Sequence, residues 1–140
     1  MKGQLTGMRG VYLVAAELSR LGFIASPTSR SALAADILIT GQDCQRAFSV
    51  QVKTNSGGGA GSFWLVGKRT VVSDTHVYVL VNLRSKEDPS QAEYFVVPSR
   101  IVKERTVYSK SRMRSGIRYP ERTSSTTEIN GISSAIRTPE

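Results

Sequence analysis

The sequence predicts an α/β domain, a mixed β-sheet flanked by helices, and three observations carry that prediction. A stretch of helical period opens the chain, an alternating strand pattern follows it, and a nearly continuous apolar run stands in the middle. In residues 8–21 the apolar side chains Met8, Val11, Val14, Ala15, Leu18 and Leu21 recur at spacings of three and four, the period of an amphipathic helix. Gly22 stands where a helix C-cap would, and Thr6 is the candidate N-cap. The 26–31 stretch reads as turn, and a short β-branched strand follows over 35–40. Gly41, Gln42 and Asp43 supply turn chemistry. Residues 47–54 then alternate, with Phe48, Val50 and Val52 on one face and Ala47, Ser49, Gln51 and Lys53 on the other, so 35–54 reads as a β-hairpin.

The glycine-rich run 55–61 is expected to be a loop, followed by a third strand over 63–66. Residues 76–83 are almost uninterruptedly apolar, the pattern of a strand buried on both faces at the centre of a sheet. A further strand over 93–97 ends at Pro98, and Ser99 reads as the N-cap of a second helix. From 111 to 140 the chain is rich in Ser, Thr and Arg with little apolar periodicity. Residues 1–110 are therefore expected to form the domain and 111–140 a basic, weakly ordered arm.

Composition narrows the function classes. The 140 residues suffice for one core, and 19 basic against 11 acidic side chains give a formal charge of +8, which favours a polyanionic partner. Nine of the basic residues and four of the acidic ones lie in 100–140, so the basic surplus is concentrated there. Lys103, Arg105, Lys110, Arg112 and Arg114 are the candidate nucleic-acid contacts, because such clusters neutralise phosphates without reading sequence. The single cysteine, Cys44, permits no intrachain disulfide and no zinc framework. No apolar window reaches membrane-span length and no signal-peptide core follows the N-terminus, so a cytoplasmic location is expected. The glycine-rich run does not make a phosphate-binding loop, since Ser62 and Arg69 occupy positions that such a loop reserves for glycine and for Ser or Thr. Trp64 and Tyr78 read as core aromatics and His76 as a strand-edge residue.

One constellation points to chemistry. Asp36 opens the first hairpin strand, while Gln51 and Lys53, two apart on the second, project from one sheet face. In hairpin register these bring a carboxylate, an amide oxygen and an ammonium group together. Phosphodiester hydrolysis needs a hard cation on oxygen ligands and a positive group beside the attacking water. Asp36, Gln51 and the backbone carbonyl of Val52 are the candidate metal ligands, and Lys53 the catalytic cation.

At these residues the chain resembles the PD-(D/E)XK nuclease superfamily, which includes restriction endonucleases and Holliday junction resolvases. The resemblance spans residues 7–102. It rests on the helix ending Leu18-Ser19-Arg20-Leu21-Gly22-Phe23, the strand Ala35-Asp36-Ile37-Leu38, the run Val50-Gln51-Val52-Lys53-Thr54 and the strand closing Tyr94-Phe95-Val96-Val97-Pro98-Ser99. It implies a restriction-endonuclease-like core and a Mg2+- or Mn2+-dependent endonuclease acting on DNA, with homodimers common among such enzymes. Two departures stand out: Gln51 replaces the usual acidic residue, and Val11 follows Gly10 where relatives often carry a metal-supporting glutamate. Glu17, six positions on, is the nearest carboxylate on that helix and the remaining candidate ligand. The alternative reading is a catalytically impaired nucleic-acid-binding module on the same fold.

Overall fold

The structure, a computed structural model, describes residues 2–29, 32–56, 63–110, 113–118 and 127–132. Helix α1 (Lys2–Arg20) opens the chain. It starts earlier than the Thr6 cap predicts, because Gln4, Leu5, Met8 and Arg9 are good helix formers and no proline interrupts them. Its end is the expected one. Gly22 takes φ +91°, Phe23 N–H donates to the Leu18 carbonyl at 3.0 Å and Gly22 N–H to that of Ser19 at 3.0 Å, a Schellman closure in which Phe23 packs back onto the Leu18 cluster.

Strands β1 (Ile24–Pro27), β2 (Ile37–Thr40) and β3 (Ala47–Asn55) follow, then β5 (His76–Asn82), β6 (Glu93–Pro98) and β9 (Thr127–Glu128). These form one six-stranded sheet in the order β1-β2-β3-β5-β6-β9. It is mixed: β3 and β5 run parallel, whereas β2 with β3 and β5 with β6 are antiparallel. The hairpin register pairs Ile37 with Val50 and Thr40 with Ala47. Strand β5 is central and buried on both faces through Val81, as its apolar run requires.

The sheet separates two cores. On one face α1 lays Val14 and Leu18 against Val50, Val52, Val77, Val79, Val81 and Val96. On the other face Tyr78, Leu80 and Val97 pack against Trp64, Ile117 and Val102, the last from helix α2 (Ser99–Arg105). Ser99 does not cap that helix. Pro98 occupies the cap position, and the Ser99 hydroxyl donates instead to the Ser73 carbonyl at 2.9 Å.

Two strands depart from the sequence reading, and described residues of 111–140 pack into both cores. Residues 24–27 form an edge strand, not part of a turn. The expected third strand, β4 (Phe63–Leu65), leaves the main sheet and joins β7 (Val107–Ser109) and β8 (Arg114–Arg118) in a three-stranded sheet ordered β4-β8-β7. Within 111–140, the described residues are structured: Ile117, Ile129 and Ile132 are buried. Ile117 stands alone in a polar stretch, and Ile129 and Ile132, three apart, make a run too short to announce an element.

Helix α1 and β3 approach closely at Gly10. A Cβ there would overlap the Thr54 hydroxyl, and that Thr54 Oγ1 is buried without a hydrogen-bond partner. Only glycine lets the helix cross β3 this closely. At Gly7, one turn earlier, a Cβ would have no atom within 4 Å. Gly10→Ala is therefore expected to lower stability by about 1–3 kcal/mol through overpacking, whereas Gly7→Ala raises it by about 0.5–1 kcal/mol through helix propensity. Urea denaturation measures both, and stabilisation by both substitutions would contradict the close crossing.

Candidate active site

The site is built where β2 and β3 part. Asp36 precedes β2 and its N–H donates to the Val50 carbonyl at 2.8 Å, which fixes its backbone to β3. Its carboxylate then reaches along β3: Oδ2 accepts from Gln51 Nε2 at 2.7 Å and from Val52 N–H at 2.8 Å. The structure thus brings Asp36, Gln51 and Val52 together. Because the N–H and C=O of one strand residue point toward the same neighbouring strand, the Val52 carbonyl also faces the β2 side. It does so one step past the Ile37–Val50 pair where the register ends. The second oxygen, Asp36 Oδ1, accepts no hydrogen bond among the described residues.

Lys53 follows Gln51 by two along β3 and shares its face. It is half-buried, has no ion-pair or hydrogen-bond partner among the described residues, and lines an open groove with Thr6, Trp64 and Arg114.

The same face holds groups that the sequence reading does not anticipate. Ser49 Oγ lies 2.6 Å from His76 Nδ1, and the His76 ring meets Tyr78 edge to face at 5.4 Å. His76 is no edge residue: it is 3% exposed and its Nε2 is buried without a partner. Burial pushes its pKa below 6.5, opposed by a hydrogen bond with the Ser49 backbone and by the Asp36 charge. Burial raises the Tyr78 phenol above 10.0, opposed by a hydrogen bond with Thr70 and reinforced by the Asp36 charge. The parallel pairing of Ser49 with His76 creates this pair, and no local pattern reveals a pairing 27 residues apart.

Glu17 does not join the site. Helix α1 covers the opposite sheet face, that of Val50 and Val52. Glu17 pairs there with Arg20 at 2.9 Å and lies beside Tyr94 of β6, lining a separate cavity of about 330 Å³ with Glu93 and Glu128. Its position on the helix, fixed by the burial of Val14 and Leu18, turns it away from Asp36. Val11 packs against the core in the same cluster. Among the described residues, no group of three or more His, Cys, Asp and Glu is arranged to hold a metal ion.

The expected nucleic-acid contacts are scattered. Lys103 and Arg105 lie on α2, Lys103 exposed and Arg105 half-buried, and exposed Lys110 lies in the turn after β7. Arg112 lies outside the described residues. Of the four that are described, Arg114 alone lines the groove with Lys53.

Across 93% of this chain and 83% of its counterpart, the architecture superimposes on the solved structure of a bacterial homing endonuclease, I-Ssp6803I, with a TM-score of 0.56. The chain carries an endonuclease-like fold. At 15% sequence identity the likeness is one of fold. No protein-family profile and no curated protein sequence matches the chain. Among the described residues, no helix of this endonuclease-like fold is long and apolar enough to cross a membrane.

His76 is the single histidine of the chain, so its titration can be followed without overlap. Its proton NMR resonance is expected to titrate below 6.5. Between that value and the folded pKa the unfolded chain binds more protons, so stability falls as pH drops through this window. In His76→Gln that pH-dependent loss disappears, as denaturation midpoints at pH 7 and pH 5.5 measure. An unshifted titration near 6.5 would show an imidazole open to water.

Proposed function

We propose that this protein is a divalent-metal-dependent endonuclease of the PD-(D/E)XK type with a glutamine variant motif, hydrolysing DNA phosphodiesters. The observation that carries the reading is the meeting of Asp36 with Gln51 and Val52 at the point where β2 leaves β3, with Lys53 next on the same face. The shared fold of a bacterial homing endonuclease supports it.

The donor set fits a hard cation. Asp36 Oδ2 and the Gln51 amide terminus are 2.7 Å apart, and two adjacent oxygens of an octahedral Mg2+ site lie about 3 Å apart given metal–oxygen distances of about 2.1 Å. A half-turn of the Gln51 amide exchanges its nitrogen for its oxygen without moving the side chain. Asp36, Gln51 and the Val52 carbonyl would then hold the ion. When bound, it supplies charge neutralisation and lowers the pKa of an attacking water.

The chain's own groups do the rest. Asp36 anchors the site, held to β3 through both its backbone and its carboxylate. Lys53 orients the attacking water and stabilises the negative charge that builds on the phosphorus oxygens. Two copies related by a twofold axis would place one such site on each strand of a duplex.

A nucleic-acid-binding module without cleavage is the second reading. The presence of one carboxylate, Asp36, at the strand junction and the absence of a three-residue ligand cluster among the described residues favour it. Plasmid DNA incubated with Mg2+ or Mn2+ separates the two. The wild type is expected to nick or linearise it, EDTA to stop the reaction, and Asp36→Ala or Lys53→Ala to slow it by about 10²–10³-fold. Salt-dependent binding with no cutting in either metal would instead establish the binding module.

A further inference from the structure

The open groove beside the site, about 940 Å³, runs between α1 and the small sheet. Among the described residues its charged lining consists of Lys53 and Arg114, with no acidic residue, and neither side chain has an ion-pair or hydrogen-bond partner among them. Outside the groove three arginines are ion-paired, Arg20 with Glu17, Arg84 with Glu93 and Arg100 with Glu104. Two cations sharing one groove, with no acidic side chain among its described lining residues, make it locally positive.

Topology places Arg114 with respect to the site. Asn55 Nδ2 donates to the Phe63 carbonyl at 3.3 Å, which ties the start of β4 to the end of β3. Phe63 pairs with Arg118 and Leu65 with Gly116, so β4 carries β8, the strand that Arg114 opens, beside the end of β3. The helical wall is low. Gly3 and Gly7 line the groove on α1, and neither has an atom within 4 Å of where a Cβ would be.

We infer that this groove is a two-point phosphate clamp seating one strand of a polynucleotide, Lys53 taking the phosphate at the reacting site and Arg114 a neighbouring phosphate. The inference rests on the hydrolase reading and deepens it: Arg114 is a substrate-binding residue. Two cations lining one open trough together with Phe63 and Leu65 suit a polynucleotide strand, with phosphates on the cations and sugars against the apolar side chains. A free phosphate ion would call for enclosed, converging donors instead.

Fluorescence anisotropy with a labelled DNA duplex in EDTA, across a series of salt concentrations, tests the clamp without requiring turnover. Arg114→Gln is expected to weaken binding about tenfold and to reduce the salt slope by about one. Arg114→Lys keeps the charge and should keep most of the slope. Arg84→Gln makes the same charge change at a pair outside the groove and should alter affinity less than twofold. Circular dichroism melts establish that each variant is folded, and should Arg114→Gln fail to fold, Arg114→Glu in the presence of the duplex at low salt replaces it, with abolished binding expected. If Arg114→Gln behaves like Arg84→Gln while Asp36→Ala abolishes cleavage, the clamp is wrong and the hydrolase reading stands. If the wild type neither cuts DNA nor binds it in a salt-dependent manner, both are overturned; if polyglutamate displaces the duplex at equal charge while cutting persists, the clamp alone is.

Discussion

The carboxylate of Asp36 is the hinge of this molecule. One oxygen receives a backbone N–H of β3 and a side-chain amide from the same strand, while the Asp36 N–H is committed to the Val50 carbonyl. The hairpin therefore stays paired up to Asp36 and splays immediately beyond it. A charge-assisted hydrogen bond at a half-buried position is worth about 1.5–3 kcal/mol, enough to hold the junction in one geometry. Everything proposed about chemistry depends on that splay, because it leaves the Val52 carbonyl facing the gap and Lys53 facing the groove.

The two cores explain why the junction stays rigid. Val50 and Val52 are buried against α1, so Gln51 and Lys53 between and beyond them must project from the other face. That second face is covered in part by Trp64, Ile117 and Val102, and the groove lined by Lys53 opens beside Trp64. The Trp64 indole donates to the Val81 carbonyl at 2.9 Å, which locks the small sheet onto the large one. The groove is thus a space between two fixed walls.

Legibility in the sequence follows the strength of the local pattern. The period of α1, the alternation of β3 and the unbroken apolarity of β5 each encode an element with a buried stripe or face, and each is found where its pattern lies. The junction of Asp36 with Gln51 is readable because a hairpin is local and its register follows from alternation. Strand β1 is not, since it is an exposed edge containing Ser26 and Pro27, residues that ordinarily signal turns. The small sheet is not either, because its pairing joins Phe63 with Arg118 across more than fifty residues and buries single apolar side chains such as Ile117. For the same reason the His76–Ser49 contact and the partnership of Lys53 with Arg114 require a three-dimensional arrangement. In the sequence Arg114 is one member of a basic run, whereas its strand pairing separates it from Lys103 and Arg105. Glu17 cannot be placed from the sequence, because helical spacing gives an angle around an axis and leaves the helix's rotation on the sheet undetermined.

The most direct test of the central claim is a crystal structure of the protein grown with Mn2+, read by its anomalous scattering. The account predicts one ion coordinated by Asp36, the Gln51 side-chain oxygen and the Val52 carbonyl, at metal–oxygen distances of about 2.1–2.3 Å. An ion seated only among Glu17, Glu93 and Glu128, or Gln51 Nε2 still bonded to Asp36 at saturating metal, would contradict it.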